Sequence, residues 1–161
     1  MHNDARMYVE RFATTDPVSV IEIGSRNING TVRDVFPNAS WIGLDLYPGP
    51  CVDVVCDSEK WSPGSAVDIV ICCEVFEHAP RWQAMLFQAV KWLKPGGRMI
   101  ITCAGPDRPP HSHHDGGKLR KGEYYSNISA DRMRQSMESC GLTQVETHQF
   151  GYDTQATGVK S

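Results

Sequence analysis

Apolar residues in this chain form continuous runs and helical stripes, and the two patterns predict different elements. Continuous runs predict buried strands at residues 18–24, 40–46, 52–56, 66–73 and 98–103, with two weaker strands at 142–149 and 153–160. Spacings of three and four predict helices at residues 3–13, 80–93 and after Ser129, and a shorter helix at 30–36 before Pro37. Lys94-Pro95-Gly96-Gly97 is expected to end the 80–93 helix and to turn the chain.

Strands that alternate with helices predict an α/β fold, because a helical crossover returns the chain parallel to the preceding strand. We therefore expect a doubly wound, Rossmann-like, mostly parallel seven-stranded sheet whose last two strands close as an antiparallel hairpin. The 161 residues are most simply one domain, 1–161, with an N-terminal helix within residues 1–17.

The first strand runs into a polar turn in the sequence VIEIGSRNING, residues 20–30. In an open α/β sheet such a turn lies under a nucleotide-like ligand. A carboxylate at the end of the next strand, here Asp45 in WIGLDLYP, lies at the ribose hydroxyl groups. The turn is not a dinucleotide fingerprint, because Arg26 stands where the second glycine of GxGxxG would let the backbone approach a pyrophosphate. A cofactor without phosphates has no such requirement.

Residues 105–125 form a long segment that is rich in proline, glycine and histidine and has no periodicity. A loop of this length in a compact domain is usually functional or disordered. Its segment PPHSHHD, residues 109–115, carries imidazoles and a carboxylate, which are suitable metal ligands. His113 and His114 are adjacent and no helical spacing fixes them, so we expect no metal site here.

Charge and composition argue against several classes of protein. A net charge of −3 disfavours a dedicated nucleic-acid binder, which usually has a basic face. No apolar stretch approaches the ~18–20 residues of a membrane span. The polar N-terminus MHNDARMY lacks the apolar segment of a signal peptide, so a cytoplasmic protein is expected. The six cysteines include no CxxC pair, which favours reduced thiols over a zinc site or a disulfide framework.

Several segments occur in an order that resembles a class I S-adenosylmethionine (SAM)-dependent methyltransferase. They are VIEIGS (20–25), WIGLDLYP (41–48), VDVVCD (52–57), DIVICCEVFEHAP (68–80) and WLKPGGRMIITCAG (92–105). No single segment is specific, but the ordered set, with EVFEH and LKPGG on either side of one helix, is far more so. The resemblance covers residues 18–160 and is to small, single-domain, type 11-like methyltransferases of microbes and phages.

This resemblance implies SAM as the cofactor and S-adenosyl-L-homocysteine (SAH) as its product. Asp45 matches the carboxylate that binds the ribose, and Asp57 matches the acidic position that accepts from the adenine amino group. Glu74 matches the position that faces the methionine amine and the sulfonium. The implied cofactor-binding residues are Glu22, Gly24, Ser25, Asp45, Leu46, Asp57, Ser58, Glu74 and His78.

Some of these residues have a simpler structural interpretation. Glu22 can cap the turn that follows it, and His78 can hold the junction between strand and loop without touching a ligand. Asp53 and Glu59 lie close enough in sequence to compete with Asp57 for the adenine. Arg26, with Asn27 beside it, is the departure from the family pattern, which has small residues at this turn.

Methyl transfer from an activated cofactor depends on alignment more than on an enzyme nucleophile. The segment CCEVFEH lacks the (D/N)PP(Y/F) stretch of amino-methylating DNA enzymes, so we expect a small-molecule or glycan acceptor in place of a DNA base. Oxygen is the expected methylation site. A hydroxyl acceptor needs a general base. The catalytic candidates are His111, His114 and Asp115, in a 105–125 loop that is expected to close over the acceptor.

Two alternatives stay open at this point. The first is a non-catalytic subunit that binds SAM or a partner, which the short chain and the altered turn at Arg26 allow. The second is a nicotinamide-dependent oxidoreductase on a similar sheet, which the missing GxGxxG disfavours. A homodimer is a further expectation, because the bare domain leaves little protein from which to build a lid over the substrate.

Overall fold

The computed structural model describes residues 2–161 and contains three α-helices and two short 3₁₀ turns. The helices are α1 (Asn3–Glu10), α2 (Trp82–Trp92) and α3 (Ala130–Ser139), and the 3₁₀ turns are Arg33–Val35 and Phe76–His78. The strands are β1 (Ser19–Ile23), β2 (Ser40–Asp45), β3 (Val54–Val55), β4 (Val67–Cys73), β5 (Leu93–Ala104), β6 (Leu142–Phe150) and β7 (Asp153–Lys160).

The strands form one seven-stranded sheet in the order β3-β2-β1-β4-β5-β7-β6. Strands β1 to β5 are parallel to one another, whereas β7 runs antiparallel to both β5 and β6. This confirms the predicted fold class. The order reverses direction between β1 and β4, so a crevice opens at the carboxyl ends of these strands.

Both faces of the sheet are covered, because alternate residues of each central strand point to opposite sides. In β1, Ile21 belongs to the apolar layer under α2 and α3, whereas Val20 belongs to the layer under α1. Trp82 of α2 and Tyr8 of α1 are the largest side chains that are almost fully buried in these layers. Burial on both faces explains why the central strands read as continuous apolar runs.

The predicted start and stop of α3 are confirmed. The side chain of Ser129 accepts a hydrogen bond from the N–H of Arg132 at 3.3 Å, which caps the first turn. Met133 and Met137 bury the apolar stripe. Gly141 follows with φ +86°, the left-handed conformation that ends many helices.

Three predicted boundaries were wrong. The expected helix over 30–36 is only the 3₁₀ turn Arg33–Val35, because a helix of so few residues has too few hydrogen bonds to form alone. The expected strand over 52–56 is reduced to Val54–Val55 at the edge of the sheet. Lys94-Pro95-Gly96-Gly97 does not separate helix from strand, because β5 already begins at Leu93, which pairs with Val67 before the register shifts.

Residues 105–125, here called the strand-five loop, fold back over the carboxyl end of the sheet. Inside the loop, His111 and Lys118 form an isolated bridge. The side-chain amide of Asn127 donates to the carbonyl groups of Gly105 and Arg108 at 2.5 and 2.9 Å, which closes the base of the loop. Among the described residues, no helix is long and apolar enough to cross a membrane.

Candidate active site

A cavity of about 1010 Å³ opens at the carboxyl ends of β1, β2 and β4, under the strand-five loop. The structure brings every implied cofactor-binding residue to its wall: Glu22, Gly24, Ser25, Asp45, Leu46, Asp57, Ser58, Glu74 and His78. Of the catalytic candidates, His111 and Asp115 line the cavity. His113, which was not predicted to be catalytic, lines it as well. His114 is not among the residues that line it.

The turn after β1 is held tightly against its neighbours. The N–H groups of Gly24 and Ser25 donate to the carbonyl oxygen of Leu44 at 2.8 and 3.0 Å, so the turn is tied to β2. Gly24 has φ +75°, and a Cβ atom there would lie 2.2 Å from Cγ2 of Val75. Only glycine fits this position, since a side chain would be both strained and in collision.

Two polar side chains beneath this turn each carry a buried atom without a hydrogen-bond partner. Glu22 is 4% exposed and Ser25 is 3% exposed. Oε2 of Glu22 and Oγ of Ser25 accept or donate no hydrogen bond among the described residues, and Nε of Arg33 lies 4.0 Å from that Oε2. Burial raises the pKa of Glu22 to about 7. Unsatisfied buried polar atoms at a cavity wall are candidates for ligand contact.

Asp45 ends β2 at the height expected of a ribose-binding carboxylate. Its Oδ1 accepts from the N–H of Tyr47 at 2.9 Å, and its Oδ2 accepts a long bond from the N–H of Arg26 at 3.3 Å. The guanidinium of Arg26 packs over the ring of Tyr47, 5.2 Å from the ring centre. The side chain at the altered turn is therefore held by an aromatic neighbour.

Asp57 follows β3 and holds its own turn together. One carboxylate oxygen lies 2.9 Å from Nζ of Lys60, and the other accepts from the N–H of Glu59 at 3.1 Å. The Lys60 ammonium lowers the pKa of the Asp57 carboxyl group. Ser58 beside it is buried.

Glu74 is the most densely bonded carboxylate at the cavity wall. Its backbone has φ +60°, and its Oε1 accepts from Oγ1 of Thr102 at 2.9 Å. Its Oε2 lies 2.8 Å from the guanidinium of Arg108 and 3.1 Å from Nε2 of His2. In this structure the donors around the Glu74 carboxylate are protein groups. The resemblance implies that the methionine amine of the cofactor faces the same carboxylate.

Arg108 and His2 extend this network to β7. Arg108 lies 2.5 Å and His2 lies 3.1 Å from the two carboxylate oxygens of Asp153, which is 1% exposed. Bonds to Asp153 and Glu74 raise the pKa of His2 to about 9. Sequence reasoning missed this network, because its members lie on four distant segments and only Glu74 belongs to a motif.

The 3₁₀ turn after β4 places Glu77 and His78 at the other side of the cavity. The ring of His78 makes edge contacts with the rings of His111 and Tyr125, at 4.9 and 5.5 Å between ring centres. Burial lowers the pKa of His78 to about 4. Glu77 is fully buried, and neither of its carboxylate oxygens has a partner among the described residues.

The remaining catalytic candidates are bound within the strand-five loop itself. A carboxylate oxygen of Asp115 lies 2.5 Å from the guanidinium of Arg120. Nε2 of His114 lies 3.7 Å from Glu123, and the neighbouring His113 stacks on the ring of Tyr47 at 6.4 Å. Of the predicted catalytic residues, only His111 both lines the cavity and contacts the histidine that follows β4.

The family model described as a methyltransferase domain matches residues 1–147. The chain therefore belongs to the methyltransferase domain family, and its fold is that of the class I SAM-dependent enzymes. This confirms the resemblance stated from the sequence. The oxidoreductase alternative has no support from the family.

Solved methyltransferase structures share this fold at low sequence identity. Burkholderia thailandensis 1,6-didemethyltoxoflavin-N1-methyltransferase, solved with 1,6-didemethyltoxoflavin and SAH, is 15% identical with a TM-score of 0.73, over 99% of this chain and 77% of that one. The DhpI–SAH complex is 16% identical with a TM-score of 0.73, over 98% and 83%.

The N-methyltransferase NodS from Bradyrhizobium japonicum WM9, solved with SAH, is 14% identical with a TM-score of 0.69, over 98% of this chain and 85% of that one. No curated protein matches the sequence significantly. Identities this low establish the fold, and the bound molecules in those structures point to SAM as the cofactor of the class.

Proposed function

We propose that this chain transfers a methyl group from SAM to a hydroxyl group of a small-molecule or glycan acceptor. One observation carries the proposal. A single cavity joins the cofactor positions at the ends of β1 and β2 to a wall of imidazoles from the strand-five loop and the turn after β4. A cofactor and an acceptor can therefore meet inside one space.

The residues at the cofactor end fit SAM. Gly24 supplies a turn without a side chain, Asp45 supplies a carboxylate for a ribose diol, and Glu22 and Ser25 supply buried polar atoms that lack partners. Arg26 does not disturb this fit, since its guanidinium lies over Tyr47. When bound, SAM supplies a methyl group already activated by a sulfonium, so the chain's own residues have to bind, orient and exclude water.

His111 is the residue that we assign to the acceptor proton. Burial lowers the pKa of His111, so its imidazole is neutral near pH 7 and has a lone pair for a hydroxyl proton. His78, with its lowered pKa, is neutral as well. Neutral imidazoles suit a hydroxyl acceptor, which loses a proton on methylation.

An amine acceptor is the main competitor, because the structural relatives include N-methyltransferases. The sequence CCEVFEH has no (D/N)PP(Y/F) stretch to hold the exocyclic amino group of a DNA base, which disfavours a nucleobase acceptor. The neutral imidazoles of His78 and His111 at the cavity wall are what favours oxygen over a small-molecule amine. The expected homodimer stays a prediction. Sedimentation equilibrium of the purified chain would test it.

The proposal is tested with [methyl-¹⁴C]SAM and separated small-molecule and glycan fractions of a cell extract. We expect alkali-stable label in one of these fractions, followed by identification of the methylated atom by mass spectrometry. His111→Ala should lower the transfer rate by about 10²–10⁴-fold while keeping SAH affinity. Lys121→Ala, an exposed change in the same loop, is the matched control.

Labelling of neither fraction, in a protein that binds SAH, would support the non-catalytic alternative instead. Label on nitrogen would overturn the assignment to oxygen. Equal loss of SAH affinity and rate in His111→Ala would place His111 in the cofactor site.

A further inference from the structure

Three potential metal ligands meet beside the acceptor end of the cavity. One ligand atom from each of Glu77, His78 and His111 lies within 4.8 Å of the others. His78 and His111 line the cavity, whereas Glu77 is fully buried behind them. Small side-chain rotations would place all three ligand atoms at the ~2.0–2.2 Å metal–ligand distance from one cation.

Glu77 is not satisfied by the protein around it. Both of its carboxylate oxygens are buried without a hydrogen-bond partner among the described residues. The nearby cation Arg108 is already paired with Glu74 and Asp153. A fully buried carboxylate without a counter-charge is costly, and such groups in proteins are paired, take up a proton or coordinate metals.

The two imidazoles are prepared as ligands. Nδ1 of His111 lies 3.3 Å from the carbonyl oxygen of Pro109, and a carbonyl can only accept, so Nδ1 carries the proton and Nε2 keeps its lone pair. Metal-bound histidines typically donate their other ring N–H to a carbonyl or carboxylate, as His111 does here. Nδ1 of His78 is buried without a hydrogen-bond partner among the described residues.

We propose that Glu77, His78 and His111 bind one divalent transition-metal cation at the acceptor end of the cavity. Two imidazole nitrogens and one carboxylate oxygen are the ligand set of catalytic rather than closed structural metal sites, because three protein ligands leave a position open. Here that position faces the cavity. Residues 109–115 alone predicted no metal in the strand-five loop, whereas Glu77 and His78 of this cluster come from the turn after β4.

The role of this cation rests on the proposed function. A cation here would hold the acceptor oxygen and lower the pKa of its hydroxyl group, so that the proton would pass to solvent water. His111 would then act as a ligand of the cation, in place of the free base assigned to it above. Binding of the cation itself does not depend on methyl transfer and is measured separately.

The experiment titrates tag-free, chelator-treated protein with Co²⁺ and follows both binding heat and visible absorption, since the d–d bands report nitrogen and oxygen ligation. We expect one Co²⁺ per chain. Glu77→Gln and His111→Ala should each bind more than about tenfold more weakly while still melting cooperatively. SAH affinity, measured on the same samples, should be unchanged.

A second cluster in the strand-five loop, His113, His114 and Glu123, provides the rival site. Glu123→Gln should leave Co²⁺ binding intact. No binding to the parent protein, or a loss in Glu123→Gln that His111→Ala does not show, overturns the proposal.

Methyl transfer, once an acceptor is known, gives an independent readout. Loss of the rate in a chelator and its return with added cation would support the metal role, and a full rate in a chelator would overturn that role. Failure of SAH binding in a protein that still binds Co²⁺ would refute the proposed function and leave the cation site standing.

Discussion

Glu22 lies where the end of β1 meets the cavity, and its burial is not balanced by a hydrogen bond to Oε2. Its pKa rises from 4.5 to about 7 because burial disfavours the charged form more than Arg33 favours it. The folded chain therefore holds a proton that the unfolded chain releases. Stability is fully present below pH 4.5 and falls as the pH rises towards 7.

Glu22→Gln should remove this loss. In ligand-free protein the variant should match the parent at pH 4.5, and at pH 8 it should be more stable by up to about 3 kcal/mol. Urea unfolding at both pH values measures the difference. The same pH dependence in both proteins would mean that Glu22 is ionised in the folded state at no cost.

The position of several cavity-lining residues could be predicted because each lies at a strand end, where a short motif specifies its height in the sheet. Gly24 and Asp45 are examples, and both line the cavity. Glu77 could not be foreseen as an unsatisfied group, because its burial depends on how β5 and the strand-five loop pack over it. No local pattern records such packing.

At the scale of elements, Arg108 ties the strand-five loop to β4 and β7 through buried carboxylates. Glu74 has 13% and Asp153 has 1% of its side chain exposed. Removal of one partner of a buried ion pair leaves an uncompensated charge, which costs about 3–5 kcal/mol. Arg108→Ala should lose stability of this order, measured by the urea midpoint.

Arg108→Lys should lose less stability than Arg108→Ala, because it keeps the positive charge, and a single nitrogen, Nη1 of Arg108, makes both contacts in the parent protein. Arg120→Ala is the matched control in the same loop, since its pair with Asp115 is about half exposed on both sides. It should cost much less stability than Arg108→Ala, because solvent screens an exposed ion pair. If Arg108→Ala were as stable as Arg120→Ala, the buried network would not anchor the loop.

The long elements were predictable and the short ones were not. Strand β4 and helix α2 follow their hydrophobic patterns closely, because each buries a full face or stripe. The 30–36 segment has the apolar residues of a helix but only enough length for the turn Arg33–Val35. The strand-five loop has no hydrophobic periodicity from which its structure could be predicted. Its partners Glu74 and Asp153 come from other elements.

For the whole molecule, the sheet brings chain segments that are distant in sequence to one cavity. Residues from the N-terminal segment, four strand ends and the strand-five loop all line it, from His2 to Lys118. We propose that this cavity binds SAH, the product of SAM, at its β1–β2 end, with Asp45 on the ribose. The fold class makes that end the expected site.

Isothermal titration calorimetry of SAH against the parent and Asp45→Ala tests this claim most directly, with NADH as the comparison ligand. We expect the parent to bind SAH and not NADH. Loss of the charge-assisted pair to the ribose should weaken SAH binding by roughly 1.5–3 kcal/mol, or about 10–150-fold, while Asp45→Ala still melts cooperatively. A parent that does not bind SAH, or a variant that binds it with unchanged affinity, would contradict the account.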